Sequence, residues 1–300
     1  MRVAFIGLGT MGGRMVANLQ EHGHDLVVTD VRREVAASAL EQGAVWADTP
    51  REAARDAEVI LSSLPGPREV EHVALGADGI INGAAQGAIY ADVSTSSVSL
   101  ARRMYEEFKA KGIQALDAPV SGGPQGAQDG SLIVMVGGDQ DAYERALPAL
   151  RAIGSNIQYV GGAGNGAVAK LCHNMIGLAS GHILAEGFTL AVKAGLDPEV
   201  FLEVLKGGAY GKQMSLRSSV PEVVFKGDFD HPRFALALAR KDIGLATDLG
   251  REMGVPMPLS NVAEQTMVEA MNRGWGGKDS SASFMIQEDR AGVQVRTQKP

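Results

Sequence analysis

The stretch IGLGTMGGRMVANL, residues 6–19, decides how the amino-terminal half of the chain is read. It follows the apolar run Val3-Ala4-Phe5-Ile6 and sets Gly7, Gly9 and Gly12 in the spacing G-x-G-x-x-G ahead of a run of helix formers. Three glycines there serve either an ordinary turn or a loop stripped of side chains for an anion. In this spacing Gly7 permits a tight turn, Gly9 lets a pyrophosphate approach the backbone, and Gly12 lets helix and strand pack closely. The amino terminus of the helix then presents N–H groups and partial positive charge to the phosphates. Gly7, Leu8, Gly9, Thr10, Met11 and Gly12 are therefore candidate cofactor contacts, Met11 as a loop filler and not as a chemical group.

The second apolar run, Leu-Val-Val-Thr-Asp, ends at Asp30, within the roughly 20-residue separation expected of a ribose-binding carboxylate. Asp30 would accept hydrogen bonds from the adenosine ribose hydroxyls and repel a 2′-phosphate, so NAD is expected over NADP. Arg32 and Arg33 pull the other way, because an arginine near this position can receive that phosphate. The plainer alternative is a helix-capping Asp30 with both arginines in water.

Further strands are expected at Val59–Ser62, Ile89–Asp92, Ile113–Asp117 and Ile133–Val136, after those at Val3–Ile6 and Leu26–Thr29. Helical stretches at 11–22, 33–42, 50–55, 67–74 and 98–111 separate most of them. Strands spaced by helices, each continuously apolar, predict a mostly parallel, doubly wound sheet covered on both faces. After YVGGAGNGA (159–167) the texture changes. Residues 165–194 read as one helix, apolar on most of its circumference, and such helices are usually buried between other elements. Three more helical patterns follow, with no convincing strand. The expected divisions are a dinucleotide-binding domain over 1–162, a long connecting helix over 163–194, and an all-helical domain for substrate and self-association over 195–300.

Composition narrows the function. Of 300 residues, 45% are hydrophobic and 21% charged, and the net charge of −7 comes without a basic block, so no nucleic-acid partner is expected. No apolar run reads as approaching the length of a bilayer span, so no membrane partner is expected either. One cysteine, Cys172, cannot form an internal disulfide and suits a reducing cytoplasm. The six histidines lack metal-ligand spacing, and no metal site is expected.

Four stretches then belong together: GLGTMGGRMVANL (7–19), DAPVSGG (117–123), GAGNGAVAKLCHN (162–174) and KDIGLA (241–246). In this order they closely resemble the β-hydroxyacid dehydrogenase family over essentially the whole chain. The resemblance implies a Rossmann domain, a long connecting helix and a helical domain. It makes Lys170 the general acid/base and Asn174, four residues on and on the same helix face, a substrate-orienting group. Ser121, Gly122 and Gly123 offer a hydroxyl and unshielded N–H groups suited to a carboxylate. The matching Thr95 is placed near the nicotinamide, Leu64 and Pro65 line the cofactor, and Lys241 stands by cofactor and substrate. For Lys170 to accept a proton near neutral pH its pKa must fall below the usual ~10.4, through partial burial or a positive neighbour.

What the resemblance implies is a small anionic 3-hydroxy acid as substrate, 3-hydroxyisobutyrate by default, oxidised with NAD to a 3-oxo acid. An NADP-preferring semialdehyde reductase and a non-catalytic dinucleotide-binding protein are the alternatives. A homo-oligomer is expected from the apolar helical domain. The chain departs from better-known members at GGAYGKQMSLRSS (207–219), where Met214 stands in place of a frequent aromatic. That segment lines the substrate pocket in the family, and it leaves open whether Lys212 or Arg217 faces substrate or water.

Overall fold

The computed structural model describes residues 1–297. It divides into one unit from Met1 to Met175 and a second from Ile176 onward. The first unit runs β1 (Arg2–Ile6), α1 (Gly12–Glu21), β2 (Asp25–Thr29), α2 (Ala37–Glu41), β3 (Val45–Trp46), α3 (Pro50–Ala54) and β4 (Val59–Ser62). It continues with α4 (Pro67–Leu75), β5 (Ile89–Asp92), α5 (Val98–Lys109), β6 (Gln114–Asp117), β7 (Val120–Ser121), α6 (Gly123–Gln128), β8 (Ile133–Gly137), α7 (Gln140–Ile153) and β9 (Asn156–Gly161).

The strands form one sheet in the order β3-β2-β1-β4-β5-β6-β8-β7, with β9 beside β8. The six from β3 to β6 are all parallel, whereas β8 runs antiparallel to β6 and β7. Strand side chains alternate between faces, and β1 serves two cores. Val3 and Phe5 pack with Val28 and Leu61 on one side, while Ala4 and Ile6 pack with Ile60 and Tyr90 on the other. That is why the middle positions of these strands are apolar in succession instead of alternating. The strand order reverses between β2-β1 and β4-β5, and the crevice at the carboxyl ends of such strands is where ligands bind.

All six expected strands and all five expected helices of this unit are present within a few residues. Five elements of the first unit escaped the sequence, among them the six-residue, glycine-led α6. β3 and β7 are two residues long. β9 is an edge strand with mostly exposed or half-buried positions, and α7 carries Pro148 in its interior. The short strands and β9 lack the apolar periodicity by which an element is recognised, whereas α7 has a buried face, Ala142, Ala146, Ala149, Leu150 and Ile153, that is interrupted in sequence by Pro148.

Helix α8 (Asn165–Lys193) starts in the first unit and continues in the second. Its expected burial is not found. Val168, Leu171, Met175, Ile176, Leu178, Ile183 and Val192 are exposed. The helix has no polar face to turn outward, and the elements of each unit cover only part of it. It is also long and apolar enough, by length and composition alone, to cross a membrane. The expectation that no run approaches that length is corrected accordingly: its leucines, isoleucines, valines and alanines raise the mean hydropathy of the helix although glycines and polar residues interrupt the apolar run.

The second unit is helical. It holds α9 (Pro198–Gly207), a π-helical segment over Ser215–Val224, α10 (Leu236–Met253), α11 (Pro258–Asn272) and α12 (Ser283–Ala291). Buried carboxylates fasten it. Glu186 on α8 accepts the Leu259 and Ser260 N–H groups at the start of α11, where a helix favours negative charge. Glu264 on α11 accepts from Thr247 and Arg240 on α10.

Candidate active site

The glycine loop is built as its spacing demands. Gly7 has φ +92°, and a Cβ there would sit 2.4 Å from the Ser63 carbonyl oxygen. A Cβ on Gly12 would sit 1.9 Å from the Gly7 oxygen, whereas one on Gly9 would meet nothing within 4 Å. Gly7 and Gly12 thus answer to the chain itself, and Gly9 faces open space. That space is a cavity of about 740 Å³, lined by Gly7, Gly9, Thr10, Met11, Gly12, Asp30, Arg32, Leu64 and Pro65. Its size and the bare backbone at its floor fit a dinucleotide.

Asp30 is held from both sides. Its Oδ2 accepts the Leu8 N–H at 2.7 Å, and its Oδ1 accepts the Arg32 N–H at 3.0 Å. The carboxylate therefore pins the glycine loop to the end of β2 while standing on the cavity wall. Leu8 itself points into the core, 4% exposed, so it offers no side chain to a cofactor and its N–H is already engaged. The two arginines separate: Arg33 lies over the Trp46 ring at 5.5 Å, while Arg32 lines the cavity, as does Arg68.

Beneath the loops after β4 and β5 lies a buried network that the sequence did not single out. The Asp92 carboxylate accepts from the Ser62 hydroxyl at 2.9 Å and from the Ser94 N–H at 3.1 Å, and Tyr90 shares the Ser62 hydroxyl. Ser94 Oγ in turn accepts the Leu64 N–H at 2.9 Å. Burial pushes the Asp92 carboxyl above the usual carboxylate range and the Tyr90 hydroxyl well above its own. The only sequence signal is an acid closing an otherwise apolar strand. Through this network the segment 63–65, which lines the cavity, is tied to the segment 94–95 after β5. Thr95 is exposed in the second of them and does not line the cavity.

The substrate-loop candidates sit where β7 turns into α6. Ser121 pairs with Ile133 of β8, and Gly122 and Gly123 have φ +137° and +65°, values that side chains resist. Lys170 and Asn174 lie on the first turns of α8, in the same unit. Lys170 is only 8% exposed, and among the described residues no carboxylate pairs with it. Burial alone holds its ammonium below the usual lysine pKa. Asn174 is half-buried. Lys241 belongs to the second unit, on α10, exposed and ion-paired with Asp242 at 2.8 Å. Lys212, Met214 and Arg217 are exposed in that unit, around the turn that opens the π-helical segment. Among the described residues no cluster of metal-ligating side chains occurs.

Two family models divide the chain between them. Residues 2–161 match the NAD-binding domain of 6-phosphogluconate dehydrogenase, and residues 164–286 match the NAD-binding domain of NADP-dependent 3-hydroxyisobutyrate dehydrogenase. A 3-sulfolactaldehyde reductase from Escherichia coli is 36% identical, covering 98% of this chain and 98% of its own. A 3-hydroxyisobutyrate dehydrogenase from Pseudomonas aeruginosa is 39% identical, covering 87% of this chain and 89% of its own. Among solved structures, a Mycobacterium tuberculosis 3-hydroxyisobutyrate dehydrogenase with L-serine superposes with a TM-score of 0.66 at 30% identity, over 95% of this chain and 98% of that one. The chain belongs to the β-hydroxyacid dehydrogenase family. It is an oxidoreductase of CH–OH groups built on nicotinamide-dinucleotide-binding domains.

Proposed function

We propose that the chain oxidises a small 3-hydroxy acid with NAD, 3-hydroxyisobutyrate by default, and that Lys170 is the general acid/base. The observation that carries this reading is a buried lysine that, among the described residues, has no carboxylate partner, on the helix face that also bears Asn174. A lysine kept for structure is ordinarily paired or has its head in water. Burial shifts Lys170 toward its neutral form, which alone can accept a proton.

A nicotinamide bound by the glycine loop and Asp30 would supply the hydride acceptor for the hydroxyl-bearing carbon. As that C–H bond breaks, Lys170 Nζ takes the hydroxyl proton, and the carbon–oxygen bond becomes a carbonyl. The reverse reduction returns the same proton. Asn174 orients the substrate, and the Ser121 hydroxyl with the Gly122 and Gly123 N–H groups receives its carboxylate. Preference for NAD is supported by Asp30 on the cavity wall and by the withdrawal of Arg33 onto Trp46. Arg32 and Arg68 on the same wall favour the second reading, an NADP-preferring semialdehyde reductase. The similarity to 3-sulfolactaldehyde reductase supports that direction too.

The test is a panel of small 3-hydroxy acids and their aldehydes, 3-hydroxyisobutyrate, L-serine and 3-sulfolactaldehyde included, assayed with both cofactors. Highest kcat/KM for 3-hydroxyisobutyrate with NAD is expected. Faster reduction of an aldehyde with NADPH would replace this reading with the second. Self-association is part of the proposal, supported by the exposed apolar side chains on α8. Light scattering on the purified chain should give a multiple of 31.4 kDa.

A further inference from the structure

Asp117 closes β6 and is buried, with no cation beside it among the described residues. Its Oδ1 accepts the Gly164 N–H at 2.8 Å, and its Oδ2 accepts the Ala167 N–H at 2.7 Å. Both donors stand at the start of α8, where the first N–H groups of a helix have no partner within it. Ala167 lies three residues before Lys170, one turn below it on the same side. In the other direction the chain runs from Asp117 through Pro119 to Ser121, four residues on. One carboxylate therefore stands where the loop bearing Ser121 meets the helix bearing Lys170.

The fit around it is tight. A Cβ on Gly166 would lie 2.3 Å from the Asp117 carbonyl oxygen and 2.5 Å from that of Met135. A Cβ on Gly137 would lie 2.7 Å from Asp117 Oδ1. Glycine at both positions brings the start of the helix against the ends of β6 and β8. A serine or asparagine suffices to cap a helix through one oxygen. Two carboxylate oxygens on two N–H groups fix the rotation of the helix as well as its height along the strand.

We propose that Asp117 is a positioning residue for the reaction, setting the rotation and height of the first turns of α8 so that Lys170 is presented at a fixed reach from the Ser121 loop. This rests on the reading of Lys170 as the general base. Asp117 itself touches neither substrate nor cofactor. It acts through the lysine, and its loss should be felt only when the lysine is there to be misplaced.

A double-mutant cycle on the full chain reads that dependence. Asp117→Asn is made in the presence of Lys170 and again in Lys170→Ala, where added methylamine serves as a diffusible base. Rates are expressed per NADH-binding site, counted by fluorescence titration. With Lys170 present, Asp117→Asn should lower kcat about 10- to 100-fold, the usual consequence of a displacement near 1 Å. NADH affinity and substrate KM should stay within about threefold. In the Lys170→Ala background the same substitution should change the methylamine-supported rate less than about threefold. An equal fall in both backgrounds would make Asp117 merely structural and overturn the proposal, as would no fall beside an intact lysine. If Lys170→Ala alone keeps full activity, the general-base reading fails, and the positioning role fails with it. Should Asp117→Asn not fold, Gly166→Ala keeps the carboxylate and displaces the start of the helix. The same split is then expected, and its absence counts equally against the proposal.

Discussion

Two glycine-rich turns that lead into helices, before α1 and before α8, serve opposite ends. In the first, at residues 7–12, Gly9 faces empty space and the amino terminus of α1 opens onto a cavity. In the second, at residues 161–166, Gly166 faces the chain's own carbonyl groups at 2.3 and 2.5 Å, and the amino terminus of α8 is already filled by Asp117. The first turn waits for an anion from outside; the second has been given one from inside. Glycine spacing therefore reveals that backbone must be approached closely, but not by what. An acid stands beside each turn, Asp30 taking the Leu8 N–H and Asp117 those of Gly164 and Ala167. Only the first acid also faces the cavity.

The largest expected effect is at the residue that the second turn carries. Lys170→Ala should lower kcat about 10²- to 10⁴-fold, the range of a general acid/base, while NADH binding, measured by fluorescence, stays nearly intact. Retention of a tenth of the activity would sink the catalytic role.

The comparison itself is broken or sharpened by putting a methyl group on each turn. Gly9→Ala should leave the melting temperature within a degree or two but weaken NAD binding about 10- to 100-fold, because one or two charge-assisted hydrogen bonds are worth ~1.5–3 kcal/mol each. Gly166→Ala should do the reverse. It should cost about 1–3 kcal/mol of stability through overpacking and spare NAD affinity. Equal stability losses at both would erase the distinction drawn here.

Smaller again is the effect expected at Asp30. Asp30→Asn removes the charge that faces a 2′-phosphate and should move the NAD/NADP ratio of kcat/KM toward NADP about tenfold. An unchanged ratio would mean that Arg32 governs the choice. Smallest is Lys212→Ala. With its side chain exposed, it should change KM by less than about twofold for mono- and dicarboxylate hydroxy acids alike. A rise confined to dicarboxylates would bring Lys212 into the substrate site.

The parts that were legible in the sequence are those where one physical demand dominates a short stretch. The central strands of the first unit are apolar along their middles because both faces are covered, and Gly7 and Gly12 answer to close approach by the chain itself, while Gly9 leaves the cavity floor bare. Missed were elements whose pattern is diluted: β9 at an exposed edge, α7 around Pro148, and the π-helical segment over Ser215–Val224. The apolar circumference of α8 was read as burial within the chain, whereas Leu178 and Met175 stand in solvent. Of the site residues named from the family's motifs, Lys170 and Asn174 lie at the start of α8, Ser121 to Gly123 at their turn, and the glycine loop, Asp30, Leu64 and Pro65 by the cavity, whereas Thr95 does not line it and Lys241 lies in the second unit. The bonds of Asp92 and Asp117 were not legible, because their partners lie about 30 and 50 residues away and only the sheet order brings them together.

The central claim is that burial prepares Lys170 to take the proton, and the pH dependence of oxidation tests it most directly. Burial lowers the lysine's pKa, so its neutral, proton-accepting form appears at lower pH than for a free lysine. In the wild-type chain, kcat/KM for the hydroxy acid should rise with pH and level off clearly below the ordinary lysine value of ~10.4. In Lys170→Ala supported by methylamine, that limb should vanish and be replaced by one following the pKa of methylamine. A limb unchanged by the substitution would assign the proton to another group and contradict the account.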